Sequence, residues 1–538
     1  MVNSIGRIKM FIMVIGFLLF GLVCFFYPTL STGFQKIQTD PGDTRFNNYV
    51  LEHGYQWIAG NPVHKDFWSP PIFFPIKNTL AYSDILLGAA PFYWFWRLLG
   101  IEPDTSFQIW TIVLVTLNFL VMFFTLKTGA GFSSFASTIG AYIFAFANIR
   151  VVQIGHPQLL PQFYSILAVL ALIKMLSVSR NKAPYSQGTI THWIYVFFFA
   201  VVLQFYASWY LGWFLAFGMT ICLLASLFFQ SSRHQVLTLL YDNWKMISFA
   251  AAVSGVLLFW MGLHYFEALK QVSGRTWDEM DWLVPRVQSW FFMGYSNILY
   301  GWTSNWILSH FRLTQIQEHQ LGLGLVTLVC SLLGFREMWR TVWGKVIIVS
   351  TLFIFVASLN FLGYLSLWRI VQKIYPGGTS IRAVCRVSLL LLIVFSFGVA
   401  TFLNKIKSKW LAYALAGVIC LEQVAVTPSY DKKEYRDKVD KIVQQIPASC
   451  EVFYYANFIP KNSSEPTWVC QLDAMWAQIR TNKPTLNGYS GNEPPGWTLS
   501  ECLMMAPSAV NLLERNLHQW LEKNSISQMN VNLVINRE

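Results

Sequence analysis

Asp40 and Asp43 flank Pro41-Gly42 directly after the first long apolar run of the chain. Pro and Gly favour a turn, and a turn brings the two carboxylates toward each other. A carboxylate pair of this kind can deprotonate a hydroxyl. It can also hold a divalent cation such as Mg or Mn through Asp40 and Asp43. The competing structural role is an ordinary solvated turn, with Asp43 as the N-cap of a helix beginning near Thr44. Farther along, Glu52 and His53 read as the polar face of that helix.

Other residues suited to chemistry lie far away in sequence. Arg382 and Arg386 are four apart where the chain enters an apolar run. On a helix they would share one face, and two guanidiniums at a membrane boundary match a phosphate or pyrophosphate. Arg386 already lies inside the apolar run, where a charge has a functional or paired role. Arg150 and His156 sit at the ends of two further apolar runs and suit an anion, with interface anchoring as the alternative. Glu318-His319 sets an acid beside an imidazole at a helix entrance. It could contact a sugar or a metal, or Glu318 could simply compensate the helix dipole. Asp84 reads either as a substrate contact or as a helix cap.

The elements that must position these residues are membrane-spanning. Of 538 residues, 54% are hydrophobic and 12% charged, against about 25% charged in soluble proteins. Apolar runs of about 20 residues identify an α-helical polytopic membrane protein. The net charge of +12 does not point to nucleic acid, because Lys and Arg gather in short loops between the runs, as topogenic charges do. Eleven spans are expected, at 8–27, 105–126, 131–149, 159–178, 192–209, 211–230, 246–265, 320–335, 346–364, 384–403 and 409–427. The first reads as an uncleaved signal anchor. The segment 84–99, with Pro91 and a cluster of aromatics, is assigned to the interface, because only then do Lys127, Arg180, Lys182, Arg233, Arg336 and Lys405 all fall on the inner side. The N-terminus is then cytoplasmic and the C-terminus outside. Segments 28–104, 150–158, 266–319 and 365–383 share the outer face with most of the unusual polar residues.

Charge density rises near Thr427. The expected organisation is a transmembrane domain, 1–427, and a small extracytoplasmic α/β domain, 428–538. Helices are expected at Tyr430–Gln445, Leu472–Arg480 and Ala509–Lys523, and strands at Glu451–Tyr455 and Val531–Ile535. The turn-dense Asn487-Gly-Tyr-Ser-Gly491 loop could place Tyr489 at the site. Cys450–Cys470 is the preferred disulfide among Cys450, Cys470 and Cys502.

Taken in order, these residues resemble the GT-C superfamily of integral membrane glycosyltransferases. More narrowly, Gly42-Asp-Thr-Arg45, Phe74-Pro75, Ala81-Tyr-Ser-Asp84, His156-Pro-Gln158, Ile381-Arg382 to Arg386 and Asn487-Gly-Tyr-Ser-Gly491 are similar to recurrent pieces of a group of bacterial multi-pass proteins. The resemblance implies juxtamembrane helices in the first outer loop and a bacterial inner (plasma) membrane location. It implies transfer of a hexosyl or pentosyl group from a polyprenyl-phosphate donor to a glycan, lipid or protein acceptor. Asp43 takes the position of the family's catalytic Asp, with Asp40 as companion. Donor phosphate would fall to Arg382, Arg386, Arg150 and His156, and substrate contacts to Asp84, Glu318 and His319. The Trp-Trp-Asp motif of oligosaccharyltransferases is absent, which argues against that subclass. The alternatives are a transporter or flippase of a lipid-linked or small polar substrate and a non-catalytic envelope scaffold. The first would lead one to look for inverted repeats, and none is evident.

Overall fold

The computed structural model describes residues 2–181, 187–272, 274–361, 364–460, 465–505, 508–526 and 531–536. The loop cation Lys182 lies outside them. Helices of eight residues or more are, in chain order, α1 (Val2–Phe25), α2 (Asp43–Ile58), α3 (Pro91–Leu98), α4 (Pro103–Phe124), α5 (Ser134–Phe146), α6 (Phe163–Asn181), α7 (Gln187–Ala207), α8 (Trp209–Phe228), α9 (Gln230–Gln271), α10 (Leu325–Met338), α11 (Val342–Ala357), α12 (Val387–Lys405), α13 (Lys409–Glu422), α14 (Lys432–Gln445), α15 (Thr467–Thr481) and α16 (Ser508–Lys523). Long apolar runs fold as helices because only helices and closed barrels satisfy their own backbone polar groups in hydrocarbon.

Each of the eleven expected spans contains a helix. Among the described residues, eight segments are long and apolar enough to cross a membrane: those built on α1, α4 to α9 and α12. The other three expected spans form α10, α11 and α13, of 14, 16 and 14 residues, shorter than the roughly 20 residues a bilayer core asks for. The segment 84–99 forms only the eight-residue helix α3, too short to span. At the centre of the bundle, α12 packs against α10 through facing glycines. A Cβ on Gly334 would lie 1.8 Å from the Gly398 carbonyl oxygen. Such small residues let helix backbones approach closely in a membrane.

The first long loop and the C-terminal segment are woven together. Strand β1 (Lys36–Gln38) pairs antiparallel with β2 (Ser429–Asp431). Beyond it, β3 (Val452–Phe458) lies between β4 (Leu503–Met504) and β5 (Val531–Asn536) in a parallel sheet. Helices α14, α15 and α16 accompany this sheet, as the apolar periodicity of their sequences predicts.

Two expectations are corrected at this level. Glu52 and His53 are not surface residues: α2 is buried around most of its circumference. Glu52 receives bonds from Arg97 and Tyr93 at 2.7 Å each, and His53 Nδ1 meets His64 Nδ1 at 2.8 Å. The polar face that suggested solvent is instead satisfied by α3 and the following loop. The disulfide is Cys470–Cys502, with Cα atoms 6.2 Å apart, rather than Cys450–Cys470. Cys450 lies just before β3 with its thiol against the Val452 carbonyl, whereas α15 turns Cys470 toward the chain entering β4.

Candidate active site

Asp43 is the first residue of α2, and Gly42 takes the cap position. The Asp43 carboxylate does not cap the helix. It turns outward and accepts from His156 Nδ1 on Oδ2 at 2.8 Å and from the Tyr489 hydroxyl on Oδ1 at 2.7 Å. His156 Nε2 lies 3.3 Å from Glu318 Oε1. The same Glu318 oxygen receives Arg386 Nη2 at 2.7 Å. Both imidazole nitrogens therefore face carboxylate oxygens, which makes the ring a double donor and hence an imidazolium. Asp43, His156, Glu318 and Arg386 thus form a continuous alternation of charge with no net excess, drawn from four segments distant in sequence.

Local structure explains the convergence. Gly155 carries no side chain where one would crowd the acidic turn: a Cβ there would lie 3.0 Å from Thr39 Oγ1 and 3.2 Å from Asp40 Oδ2. His156 is thereby brought against Asp43. Tyr489 is delivered by its loop. Asn487 bonds both backbone groups of Tyr455, and a Cβ on Gly488 would lie 2.5 Å from the Phe73 ring, so only a glycine permits this approach. Arg386 enters at the start of α12, its guanidinium over the Tyr210 ring at 5.0 Å.

These neighbours set the charge states. Burial raises the Asp43 pKa, but the hydrogen bonds and charges of His156, Tyr489 and Arg386 outweigh it, and the carboxyl stays below its usual range. Burial and Arg386 lower His156, and the two carboxylates more than reverse this, so its pKa is raised. Glu318 is pulled well below the ordinary value, burial being overcome by Arg386 and His156.

The remaining expected site residues divide clearly. Asp40 is exposed, its Oδ1 accepting from the Gly42 N–H at 2.8 Å. It stabilises the turn beside the cluster. Arg382 is exposed, and its charge acts on Tyr489. Its side chain has no ion-pair or hydrogen-bond partner among the described residues. Arg382 and Arg386 do not share a helix face, because residues 381–383 are non-helical and a short 3₁₀ turn, Val384–Arg386, precedes α12. Arg386 is an internal counter-ion for Glu318 rather than an open phosphate ligand. Arg150 is withdrawn altogether: it donates to the Phe144 and Leu159 carbonyls and to Gln162 Oε1. A buried guanidinium held in this way braces the bundle and does not meet a phosphate. His319 points away from Glu318, bonding Ser289 Oγ and the Trp282 carbonyl. Asp84 accepts from the backbone N–H of Trp209 and so caps α8, a helix distant in sequence. Burial pushes its carboxyl up to about 6 against the opposing effects of Trp209 and Arg386.

Each Asp43 oxygen and Glu318 Oε1 accepts a donor, both nitrogens of His156 face carboxylates, and Glu318 Oε2 is buried without a hydrogen-bond partner. No group of three or more His, Cys, Asp or Glu suited to a metal occurs among the described residues.

No protein-family model matches the chain, and no curated protein matches it in sequence. Solved structures similar to it do exist. The Archaeoglobus fulgidus oligosaccharyltransferase AglB, in complex with an inhibitory peptide and a dolichol-phosphate, aligns with a TM-score of 0.49 and 12% identity, over 95% of this chain and 68% of that one. The apo oligosaccharyltransferase of the same organism aligns with a TM-score of 0.47 and 11% identity, over 96% and 69%. ArnT from Cupriavidus metallidurans, bound to undecaprenyl phosphate, aligns with a TM-score of 0.40 and 11% identity, over 97% and 89%.

Proposed function

We propose that this protein is a GT-C type membrane glycosyltransferase that moves a sugar from a polyprenyl-phosphate donor to an envelope glycan, lipid or protein acceptor. The observation that carries the reading is the Asp43–His156–Glu318–Arg386 array closed by Tyr489, with the exposed Arg382, which has no ion-pair partner among the described residues, acting electrostatically on Tyr489. In a transporter a charged array would serve passage; here a partly exposed carboxylate is held ionised.

The acceptor hydroxyl attacks the anomeric carbon as the bond from that carbon to the phosphate oxygen breaks. The electron pair leaves with the lipid phosphate, whose charge Arg382 receives. Asp43 takes the hydroxyl proton. Each of its oxygens already accepts one bond and keeps a lone pair, and the side chain is 29% exposed, so a hydroxyl can reach it. A carboxylate of lowered pKa is a weak base, so proton transfer occurs late, once the new bond has made the hydroxyl acidic. His156 and Tyr489 hold the carboxylate in position. Glu318 keeps His156 charged, and Arg386 keeps Glu318 charged.

The test is transfer by the purified full-length protein from lipid-linked radiolabelled sugars. Asp43→Asn preserves shape and removes the base. Its rate is expected to fall by about 10²-fold or more, with folding checked by size-exclusion chromatography. Full activity in Asp43→Asn would sink the assignment.

A further inference from the structure

On the far side of α2 from His156 and Tyr489, a second concavity opens between the first loop and the C-terminal segment. It has a volume of about 330 Å³, near the lower end of small-ligand sites. That suits one or two sugar rings and not a lipid chain. Five cationic and three anionic side chains line it, an excess of two positive charges in the wall itself.

Most of those cations are matched. Arg97 is held by Glu52, Arg436 by Glu102 and Asp104, and Arg480 by Asp440. Lys432 is not. Its ammonium donates to the neutral oxygens Thr105 Oγ1 at 2.8 Å and Gln108 Oε1 at 3.4 Å, and no carboxylate pairs with it among the described residues. Burial and the adjacent Arg436 hold its pKa below the usual value, and the charges of Asp104, Glu102 and Asp431 oppose this without reversing it. Arg45 has one nitrogen on Asp473 at 2.7 Å, while its Nη1 has no hydrogen-bond partner. Beside these cations stand two aromatic side chains: Tyr435, whose ring already carries the Arg45 guanidinium at 4.6 Å and the Lys438 ammonium at 5.0 Å, and Trp476, which offers an apolar surface with a polar edge.

We propose that this cavity binds an anion-bearing sugar, its carboxylate or phosphoryl group at Lys432 and Arg45 and its ring against Trp476. The site is separate from the proposed reaction centre, and the inference does not rest on that reaction.

The experiment is isothermal titration of the full-length protein in nanodiscs with glucuronate, glucose 1-phosphate and neutral glucose. At least one anionic sugar is expected to bind and glucose not to. Binding of glucuronate alone assigns a carboxylate, and binding of glucose 1-phosphate alone assigns a phosphoryl group. Lys432→Gln, which keeps a polar contact with Thr105 and Gln108, is expected to weaken binding roughly tenfold, the loss of one charge-assisted bond. Its thermal midpoint, measured alongside, separates this from unfolding. Asp43→Asn is expected to leave the affinity unchanged. The proposal is overturned if neither anion binds, if glucose binds as well as they do, or if a folded Lys432→Gln binds as tightly as the parent.

Discussion

At the residue scale the two arginines expected to act together have different tasks, and this can be measured. Arg386 is the buried partner of Glu318, and removing one member of a buried ion pair costs about 3–5 kcal/mol. Arg386→Ala is therefore expected to lower stability by that order in chemical denaturation. Arg382→Ala should leave stability near the parent and raise the KM for the lipid donor in the transfer assay. Equal stability losses in both variants would contradict the division. The cluster also has a defined pH response. Asp43 and Glu318 are held below ordinary carboxylate values, so their stabilisation is present above about pH 4 and lost only as pH falls through the lower folded values. His156 is raised, so its contribution is complete below about pH 6.5 and lost as pH rises through the folded value. The thermal midpoint should therefore decline on the alkaline side of neutrality. His156→Gln should flatten that limb; an unchanged limb would remove the imidazolium from the account.

At the element scale the loop from Asn487 to Gly491 and the α15–β4 junction decide whether Tyr489 reaches Asp43. Tyr489→Phe deletes one hydrogen bond to the carboxylate and is expected to reduce transfer roughly tenfold with little change in stability. The Cys470–Cys502 bridge closes a sequence separation of 32 residues. Loops of this order give about 2–4 kcal/mol of stabilisation when crosslinked. Cys502→Ser should lower the denaturation midpoint by a corresponding amount, and a variant as stable as the parent would show the bridge to be dispensable. Buried carboxylates recur as distant caps. Glu422 accepts from the Val326 and Thr327 N–H groups at 2.8 Å each and so neutralises the start of α10, much as Asp84 does for α8.

At the scale of the whole molecule, loop and C-terminal segment act as one support. The β1–β2 pair and the bond from the Phe73 N–H to the Asn487 carbonyl at 2.9 Å join residues some four hundred positions apart. From the positive-inside distribution we propose that this assembly lies on the extracytoplasmic side. In a background without reactive native thiols, Lys523→Cys is expected to react with a membrane-impermeant maleimide on intact cells, and Lys407→Cys only after lysis. The reverse pattern would invert the topology and move the array to the other face.

Apolar period and length made the helices legible, since a long apolar run has few ways to satisfy its backbone in lipid. The rise in charge near Thr427 marked where β2 and the helices after it begin. Asp43, His156, Glu318 and Arg386 were each visible as charges in unusual places. What residue types and spacing could not tell was which charges meet. Arg150 and His156 look alike as cations at helix ends, and only tertiary packing turns one onto backbone carbonyls and the other between two carboxylates. Arg382 and Arg386 share a helix face on paper, and a non-helical stretch before α12 separates them. The Asp40–Asp43 turn was evident from its four residues, but the partner of Asp43 was not Asp40. It was a histidine 113 positions on and a tyrosine 446 positions on. Ion pairing depends on distance in space and on desolvation, and both are properties of the folded chain.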